Sequence, residues 1–435
     1  MTLKGRNSSS SQKRIGPYNY QIGFYIKGLT EMLTEKISKL NYNNFLWHAA
    51  FLALASSFMD VDTIMPSMLG AAGGKALQMG ILVTIMVGGS SFSQILFAPF
   101  LHNKRYKKKF LLIGIYARVL ALSGLALLFL FFKQFSNLAK IWAVLLLVSL
   151  FSFSGAFANI SYTDILGKSV KKEKRKSLLS LKQVVSATGV FVSAIIARKL
   201  LSIYNIPLNY SILFLFAAVF LAIASLGFWR LKEVKGRSEY VHDLRQFFSF
   251  MKKEIKQNQK LRTFLLIINT LGISRSLLPF LILFAKEFSV KVFLGNLLMI
   301  KVTGGILMGF LLFHFSKKFR YSHTFYIVVL LSIGLLPFAF FSQNLPWLFY
   351  IAFFLGGISF AAYSITINGV LLEITDNENR AMYTGLAGAG NIIPALFPLF
   401  GGWLIKTSGF TVFFLIVGAI MLSSTIFIRK LACKH

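Results

Sequence analysis

Two aspartates interrupt an otherwise apolar stretch of this sequence. Asp60 and Asp62 lie in SSFMDVDTIMP, near the middle of an apolar run that extends from about residue 45 to residue 69. A charged side chain at the centre of a membrane helix costs roughly 2.5–3.5 kcal/mol on insertion scales. An intramembrane carboxylate can bind a proton or a cation, or can orient a polar solute. We therefore expect both aspartates to be functional.

An arginine takes the matching position in the second half of the chain. Asp62 precedes Pro66 by four residues, and Arg275 precedes Pro279 by four residues in SRSLLP. We predict an ion pair between Asp62 and Arg275, which is either a permanent link between two halves or a gate that solute or proton breaks. On a continuous helix Asp60 would point about 200° away from Asp62, at about 100° per residue. We therefore expect separate partners for the two carboxylates, with Asp60 as the proton or cation site.

Further polar side chains lie deep in apolar segments, where they are costly unless they are paired or hydrated. These candidate solute-binding residues are Arg118, Asn159, Tyr162, Tyr363 and Asn368. For Arg118, and for the equally deep Lys301, a side chain that extends towards the headgroups is an alternative to a role in a cavity. Three deep cations against two deep carboxylates favour an anionic or zwitterionic solute.

The composition places these residues in a membrane. The chain has 435 residues, of which 56% are hydrophobic and 14% are charged, whereas soluble proteins carry about 25% charged residues. Apolar runs of about 20 residues recur along the chain, and such runs predict transmembrane helices. Twelve helical spans are predicted at residues 44–69, 76–101, 110–132, 139–164, 178–202, 208–229, 263–287, 291–315, 323–341, 346–373, 381–406 and 410–429.

The positive charge of the chain reports its topology. The formal net charge is +33, and 36 of the 47 Lys and Arg residues fall on one side of the predicted spans, against eight on the other side. By the positive-inside rule the rich side is cytoplasmic, so both termini are expected in the cytoplasm, in a bacterial inner membrane. This distribution favours contact with anionic lipid headgroups and argues against a nucleic-acid partner.

The polar segments divide the chain into five regions. We predict a cytoplasmic leader with an amphipathic helix (1–43), a six-helix bundle (44–229), a cytoplasmic linker with a second amphipathic helix (230–262), another six-helix bundle (263–429) and a short cytoplasmic tail (430–435). The sequence has no metal-ligand spacing, no nucleotide motif and a single cysteine, Cys433. We therefore expect no cofactor, and transport would have to be driven by an ion or solute gradient.

Several features together resemble the major facilitator superfamily over about residues 44–430. They are the twelve spans with both ends inside, the long middle loop, the connection LLEITDNENRAMYTGLAGAG, and PALFPLFGGWLIKTSGF in span eleven and after it. The loop between spans two and three, APFLHNKRYKKK, keeps the basic residues of the family's motif but lacks its Asp and its second Gly. The Gly-Pro signature of the family's antiporters is absent from VVSATGVFVSAI in span five.

The resemblance implies an all-α membrane protein with twelve transmembrane helices in two pseudo-symmetric six-helix bundles. It also implies a central cavity lined by spans one, four, seven and ten. The expected function is secondary active transport of a small solute by alternating access, either with or without coupling to protons. We also expect the protein to be a monomer and not an enzyme. A polytopic membrane enzyme and a non-transporting membrane sensor are the alternatives. An enzyme should show acid, His or metal-ligand clusters at the membrane surface, and a sensor should take up no solute.

Overall fold

A computed structural model describes residues 34–102, 104, 106–234, 244–315, 320–374, 388 and 390–431. Within these ranges the chain forms long helices and no strand. In chain order the spans are one, Glu35–Ser56 with Ile64–Ala71; two, Ala76–His102; three, Lys108–Leu130; four, Asn137–Ser169; five, Lys172–Ile203; six, Leu208–Arg230; seven, Gln259–Leu271 with Leu277–Glu287; eight, Leu294–His314; nine, Tyr321–Phe341; ten, Leu348–Ile374; and eleven and twelve within Ile392–Arg429.

The helices agree with a multi-pass membrane protein. Ten described helical segments are long and apolar enough to cross a membrane by length and composition. Two features explain why ten such segments are found where the sequence predicts twelve spans. Span two contributes the shorter apolar stretch Ala76–Gly89, and Ile392–Arg429 contains two spans because its helix is interrupted at Gly409. Gly409 has a φ of 80°, a left-handed conformation that a residue without a Cβ adopts readily.

The first helix begins earlier than the sequence pattern predicts, at Glu35 instead of about residue 44. The Thr34 hydroxyl accepts a hydrogen bond from the backbone N–H of Ile37 at 3.3 Å and caps this helix. Most of the predicted leader helix, at residues 20–40, lies outside the described residues. The second predicted amphipathic segment does form a helix, Leu244–Gln257.

Spans one and seven are each broken within their length. A 3₁₀ turn at Ser57–Met59 and non-helical residues after it separate the two parts of span one, and Gly272–Ser276 does the same in span seven. In each span a proline is the third residue of the helix that follows, Pro66 in one and Pro279 in the other. Proline lacks an N–H and its ring clashes with the carbonyl four residues earlier, so an α-helix cannot continue smoothly through that point. The residues four positions earlier are Asp62 and Arg275.

The helices pack as two groups, spans one to six and spans seven to twelve. In the first group span one packs against spans five and six, and span three packs against spans four and six. In the second group span ten packs between spans eight and nine. The groups meet where span five contacts span eight, where span two contacts span eleven, and where span one contacts span seven. The two broken helices thus lie at the interface between the halves.

Candidate functional site

The break in span one gives Asp60 several hydrogen-bond donors. Its Oδ1 atom accepts hydrogen bonds from the backbone N–H of Asp62 at 3.1 Å, from the backbone N–H of Thr63 at 2.9 Å and from the Thr63 hydroxyl at 2.7 Å. In an intact helix these N–H groups would bond to carbonyls four residues earlier. The Asp60 carboxylate therefore stabilises the turn that starts the helix Ile64–Ala71.

Lys301 of span eight joins both aspartates. Its Nζ atom lies 2.6 Å from Asp60 Oδ2 and 2.6 Å from Asp62 Oδ2. The three side chains are largely buried, with 10%, 16% and 11% exposed for Lys301, Asp60 and Asp62 respectively. The prediction of separate partners for the two carboxylates is therefore wrong. It assumed one continuous helix, whereas the broken turn brings both side chains towards span eight.

The predicted ion pair between Asp62 and Arg275 is not formed. Lys301 takes the carboxylate of Asp62, and within the described ranges Arg275 has neither an ion pair nor a hydrogen bond. The Arg275 guanidinium carbon instead lies 5.6 Å from the centre of the Phe360 ring, a cation–π distance. The matched positions relative to the prolines lie at two equivalent breaks, but their spacing did not identify the partner of Asp62.

Arg275 and Asp62 line the same small cavity. Its volume is ≈ 10 Å³, about the room that one water needs. Both charged residues line it, together with Tyr363 and the hydroxyls of Ser274, Ser332 and Ser359. Tyr363 is only 4% exposed, and like Arg275 it forms no hydrogen bond in the part of the chain that the structure describes. The cavity therefore contains hydrogen-bond donors that have no acceptor.

The remaining predicted residues lie elsewhere. Arg118 lies with its guanidinium carbon 4.2 Å from the centre of the Phe151 ring, and its buried Nε atom has no hydrogen-bond partner. Tyr162 accepts a hydrogen bond at 2.9 Å from the ammonium group of Lys182. Asn159 of span four and Asn368 of span ten are exposed, and the side-chain amide of Asn368 donates to a carbonyl of its own helix. Neither joins the cluster at Asp62.

Sequence reasoning missed the central role of Lys301. The signal for this role was the depth of the lysine in span eight. No local motif links Lys301 to the two aspartates, which lie about 240 positions earlier in the sequence. Its neighbourhood also shows close helix packing. A Cβ built on Gly357 of span ten would lie 2.1 Å from the Lys301 carbonyl oxygen, so the missing side chain allows the two backbones to touch.

The two halves are joined at the end of the bundle opposite the chain termini, which we call the opposite end. There the Lys286 ammonium donates to the Gly70 carbonyl at 2.5 Å, and Arg198 Nε donates to Asn296 Oδ1 at 2.6 Å. Spans two and eleven approach so closely that a Cβ on Gly402 would lie 2.4 Å from the Ala76 carbonyl oxygen.

We call the end of the bundle that carries the chain termini the terminal end. Several ion pairs there lie within one half of the protein. Lys107 and Lys168 each lie 3.0 Å from Asp164, and Lys168 also lies 2.8 Å from Glu233. These residues belong to spans one to six or to the segment just after span six. Neither these ion pairs nor those of Glu35 with Lys171 and Lys174 join the two halves. The described contacts therefore close the opposite end.

The family model of the Major Facilitator Superfamily matches residues 46–345 and 325–432. The chain belongs to the major facilitator superfamily. The protein is accordingly a secondary active transporter and not an enzyme, as the sequence predicted. The all-α fold with two helical bundles is confirmed as well. No curated protein matches the sequence.

Solved structures of transporters share the fold of this transporter. A POT family transporter in complex with a thioalcohol-conjugated peptide is 12% identical, with a TM-score of 0.67 over 90% of this chain and 96% of that chain. The nucleoside transporter NupG is 12% identical, with a TM-score of 0.64 over 90% and 99%. The inward-open xylose transporter XylE from E. coli is 14% identical, with a TM-score of 0.63 over 92% and 96%.

Proposed function

We propose that the transporter moves a small solute by alternating access, and that the Asp60–Lys301–Asp62 cluster is the gate between its halves. The main support is the position of Lys301. Its ammonium group belongs to the second half of the chain and is bound by two carboxylates of the first half. Solute transporters of peptides, nucleosides and xylose with the same fold support a small solute as cargo.

The cluster lies where a gate has to act. Lys301 is seven residues after Leu294, the first residue of span eight, so it lies about 10 Å along the helix from the opposite end. Opening that end would separate span one from span eight and break both ion pairs. Separating buried opposite charges is expensive unless one of them is neutralised or finds another partner. The gate should therefore open only when a proton or the solute changes the charge of the cluster.

We propose Asp62, in place of Asp60, as the proton site. Asp60 accepts four hydrogen bonds, three on Oδ1 and one from Lys301 on Oδ2, so both of its carboxylate oxygens already have partners. Asp62 has only Lys301 within the described residues, and it lines the cavity. Two carboxylates that share one ammonium group leave one excess negative charge. A proton on Asp62 would remove that charge and weaken its bond to Lys301, so that only the Asp60–Lys301 pair would remain to be separated when the gate opens.

We further propose that the protein acts as a monomer in a bacterial inner membrane, with both termini in the cytoplasm. The partition of Lys and Arg supports this orientation, and the basic cytoplasmic surface suits anionic lipid headgroups. In this orientation the gate is closed on the outer side. The structure would then correspond to a state that receives or releases solute at the cytoplasmic side.

The test is solute transport in proteoliposomes that contain a pH-sensitive dye. A panel of sugars, nucleosides, amino acids, peptides, carboxylates and phosphates is screened for accumulation driven by a pH gradient. Asp62→Asn should lose this accumulation but keep exchange of solute at equal pH, because the cavity remains. Asp164→Asn is the matched control, since its carboxylate lies at the terminal end, and it should keep both activities.

Three outcomes would contradict the proposal. Asp62→Asn could still concentrate solute in response to a pH gradient, which would exclude Asp62 as the proton site. Asp60→Asn could abolish gradient-driven accumulation while Asp62→Asn does not, which would identify Asp60 as the proton site. The transporter could also respond to no solute in the panel, which would contradict the small-solute assignment.

A further inference from the structure

Arg275 is a deep cation that the gate does not use. The carboxylate that lines its cavity is that of Asp62, which forms an ion pair with Lys301. Arg275 is half-buried, in the non-helical turn of span seven, and it has no acceptor in the described part of the chain. Guanidinium groups inside a membrane protein are normally paired, because an unpaired charge there is expensive. Arg275 is thus poised to bind a negative group that is not part of the protein.

The groups around Arg275 are mainly donors. Ser332 and Ser359 share one hydrogen bond, with 2.6 Å between their hydroxyl oxygens, so one of their two hydroxyl hydrogens remains available. The Tyr363 hydroxyl, on the same side of span ten, forms no hydrogen bond in the described ranges. A guanidinium with adjacent hydroxyls matches the oxygens of a carboxylate or a phosphate, which accept two or more hydrogen bonds in one plane.

We propose that the cavity at Arg275 binds the oxyanion group of the transported solute, a carboxylate or a phosphate. This inference rests on the proposed function and adds the chemical class of the cargo to it. Arg275 contacts the oxyanion directly, and Tyr363 and the Ser332–Ser359 pair supply neutral hydrogen bonds. The present cavity is large enough for about one water, so the oxyanion enters when the halves move apart.

The charge balance links this site to the gate. Asp60, Asp62, Lys301 and Arg275 together have no net charge when all four are ionised. A bound monoanion adds one negative charge, and a proton on the Asp62 carboxylate restores neutrality. No covalent bond changes, apart from the O–H bond that the proton forms with Asp62. Uptake of a proton with the oxyanion is therefore the combination that keeps this low-dielectric region neutral.

A second cavity at the opposite end supports an anionic cargo independently. Its volume is ≈ 580 Å³, and it is lined by Lys75, Lys286 and Lys406, with Glu287 as the single acidic residue among its lining residues. Clefts lined by charges of one sign raise the local concentration of ions of the opposite sign. These lysines are three of only eight Lys and Arg residues assigned to that side. They would attract oxyanions to the closed end of the transport path.

The experiment measures binding and requires no transport. The full chain in lipid nanodiscs is heated with acetate, succinate or inorganic phosphate, with chloride at the same ionic strength as the reference. At least one oxyanion should raise Tm in a saturable manner. Arg275→Gln should abolish the rise, and Arg275→Lys, which keeps the charge without the planar fork, should reduce it. Tyr363→Phe, which removes one neutral donor, should shift the saturation to higher concentration.

Arg118→Gln is the matched control because it also removes a deep guanidinium, one that lies on the Phe151 ring away from this cavity. It should keep the Tm rise. Absence of any oxyanion effect in the wild type would overturn the inference, and so would an effect that survives Arg275→Gln. If Arg275→Gln does not fold, the shift in saturation with Tyr363→Phe decides, and an unchanged saturation would overturn the inference.

Proton uptake on binding, followed with an indicator dye in weak buffer, separates this inference from the proposed function. Oxyanion stabilisation without proton uptake supports the Arg275 site and contradicts proton coupling at Asp62. If neutral solutes alone cause proton uptake and no oxyanion raises Tm, the result supports Asp62 as the proton site and overturns the oxyanion site.

Discussion

Replacing Lys301 by Met tests the central cluster most directly. Met has a similar length and an apolar end, so the substitution removes the charge while it keeps much of the packing. It leaves Asp60 and Asp62 buried together without their cation. Breaking a buried pair by removal of one partner costs about 3–5 kcal/mol, because the remaining charge is uncompensated.

The geometry gives a similar magnitude independently. Lys301 forms two hydrogen bonds of 2.6 Å, each to a charged acceptor. Hydrogen bonds to charged groups contribute about 1.5–3 kcal/mol each, or about 3–6 kcal/mol for the two together. We therefore expect Lys301→Met to lower the free energy of unfolding by about 3–5 kcal/mol, measured by reversible unfolding in mixed micelles.

Neutralising the aspartates should rescue much of this loss. In the triple variant, Asp60→Asn with Asp62→Asn and Lys301→Met, no charge of the cluster remains. The amide oxygen that Asp60→Asn introduces could still accept the hydrogen bonds that start the helix at Ile64. We expect the triple variant to be more stable than Lys301→Met alone, and a non-additive term of about 0.5–3 kcal/mol in the cycle.

The control is a double-mutant cycle in which Arg275, instead of Lys301, is substituted together with Asp62. Because Asp62 bonds directly to Lys301 and only shares a cavity with Arg275, Arg275→Met and Asp62→Asn should be less strongly coupled than Lys301→Met and Asp62→Asn. The reasoning is refuted if Lys301→Met costs less than about 1 kcal/mol, or if its effect adds to that of the aspartate substitutions without coupling. A larger coupling of Asp62 to Arg275 than to Lys301 would restore the ion pair that the sequence spacing had suggested.

Two further predictions concern the closed end and the topology. Gly402→Ala should weaken closure at the opposite end and reduce solute transport in proteoliposomes, because the new Cβ would lie 2.4 Å from the Ala76 carbonyl oxygen; Gly418→Ala is the control, since its Cβ would have its nearest contact at 3.7 Å. Equal transport by the two variants would contradict this role for the contact between spans two and eleven. Cys433, outside the described residues, should resist a membrane-impermeant thiol reagent in intact cells and react after permeabilisation, because the basic side of the chain is expected in the cytoplasm. Ready labelling in intact cells would place the C-terminus outside.

The sequence alone determined the spans, whereas the breaks in two of them were not predicted although their cause is local. Runs of about 20 apolar residues permit few structures in lipid besides helices, because backbone polar groups must be satisfied within the segment. The prolines four residues after Asp62 and Arg275 interrupt their helices for a local reason, the missing N–H and the clash with the preceding turn. Such local constraints can be recognised in the sequence. The start of span one at Glu35 was less predictable, since a polar helix extension carries no hydropathy signal.

Only the tertiary structure decided which charges meet. Asp60 and Asp62 point apart on a continuous helix, yet the turn after Ser57–Met59 brings both to Lys301. That contact depends on how span eight packs against span one, and nothing in the local sequence records it. Three deep cations were available as partners, and their spacing favoured Arg275. Hydropathy and helix-breaking residues act over a few positions of the chain, whereas an ion pair between the halves depends on the packing of every helix between its partners.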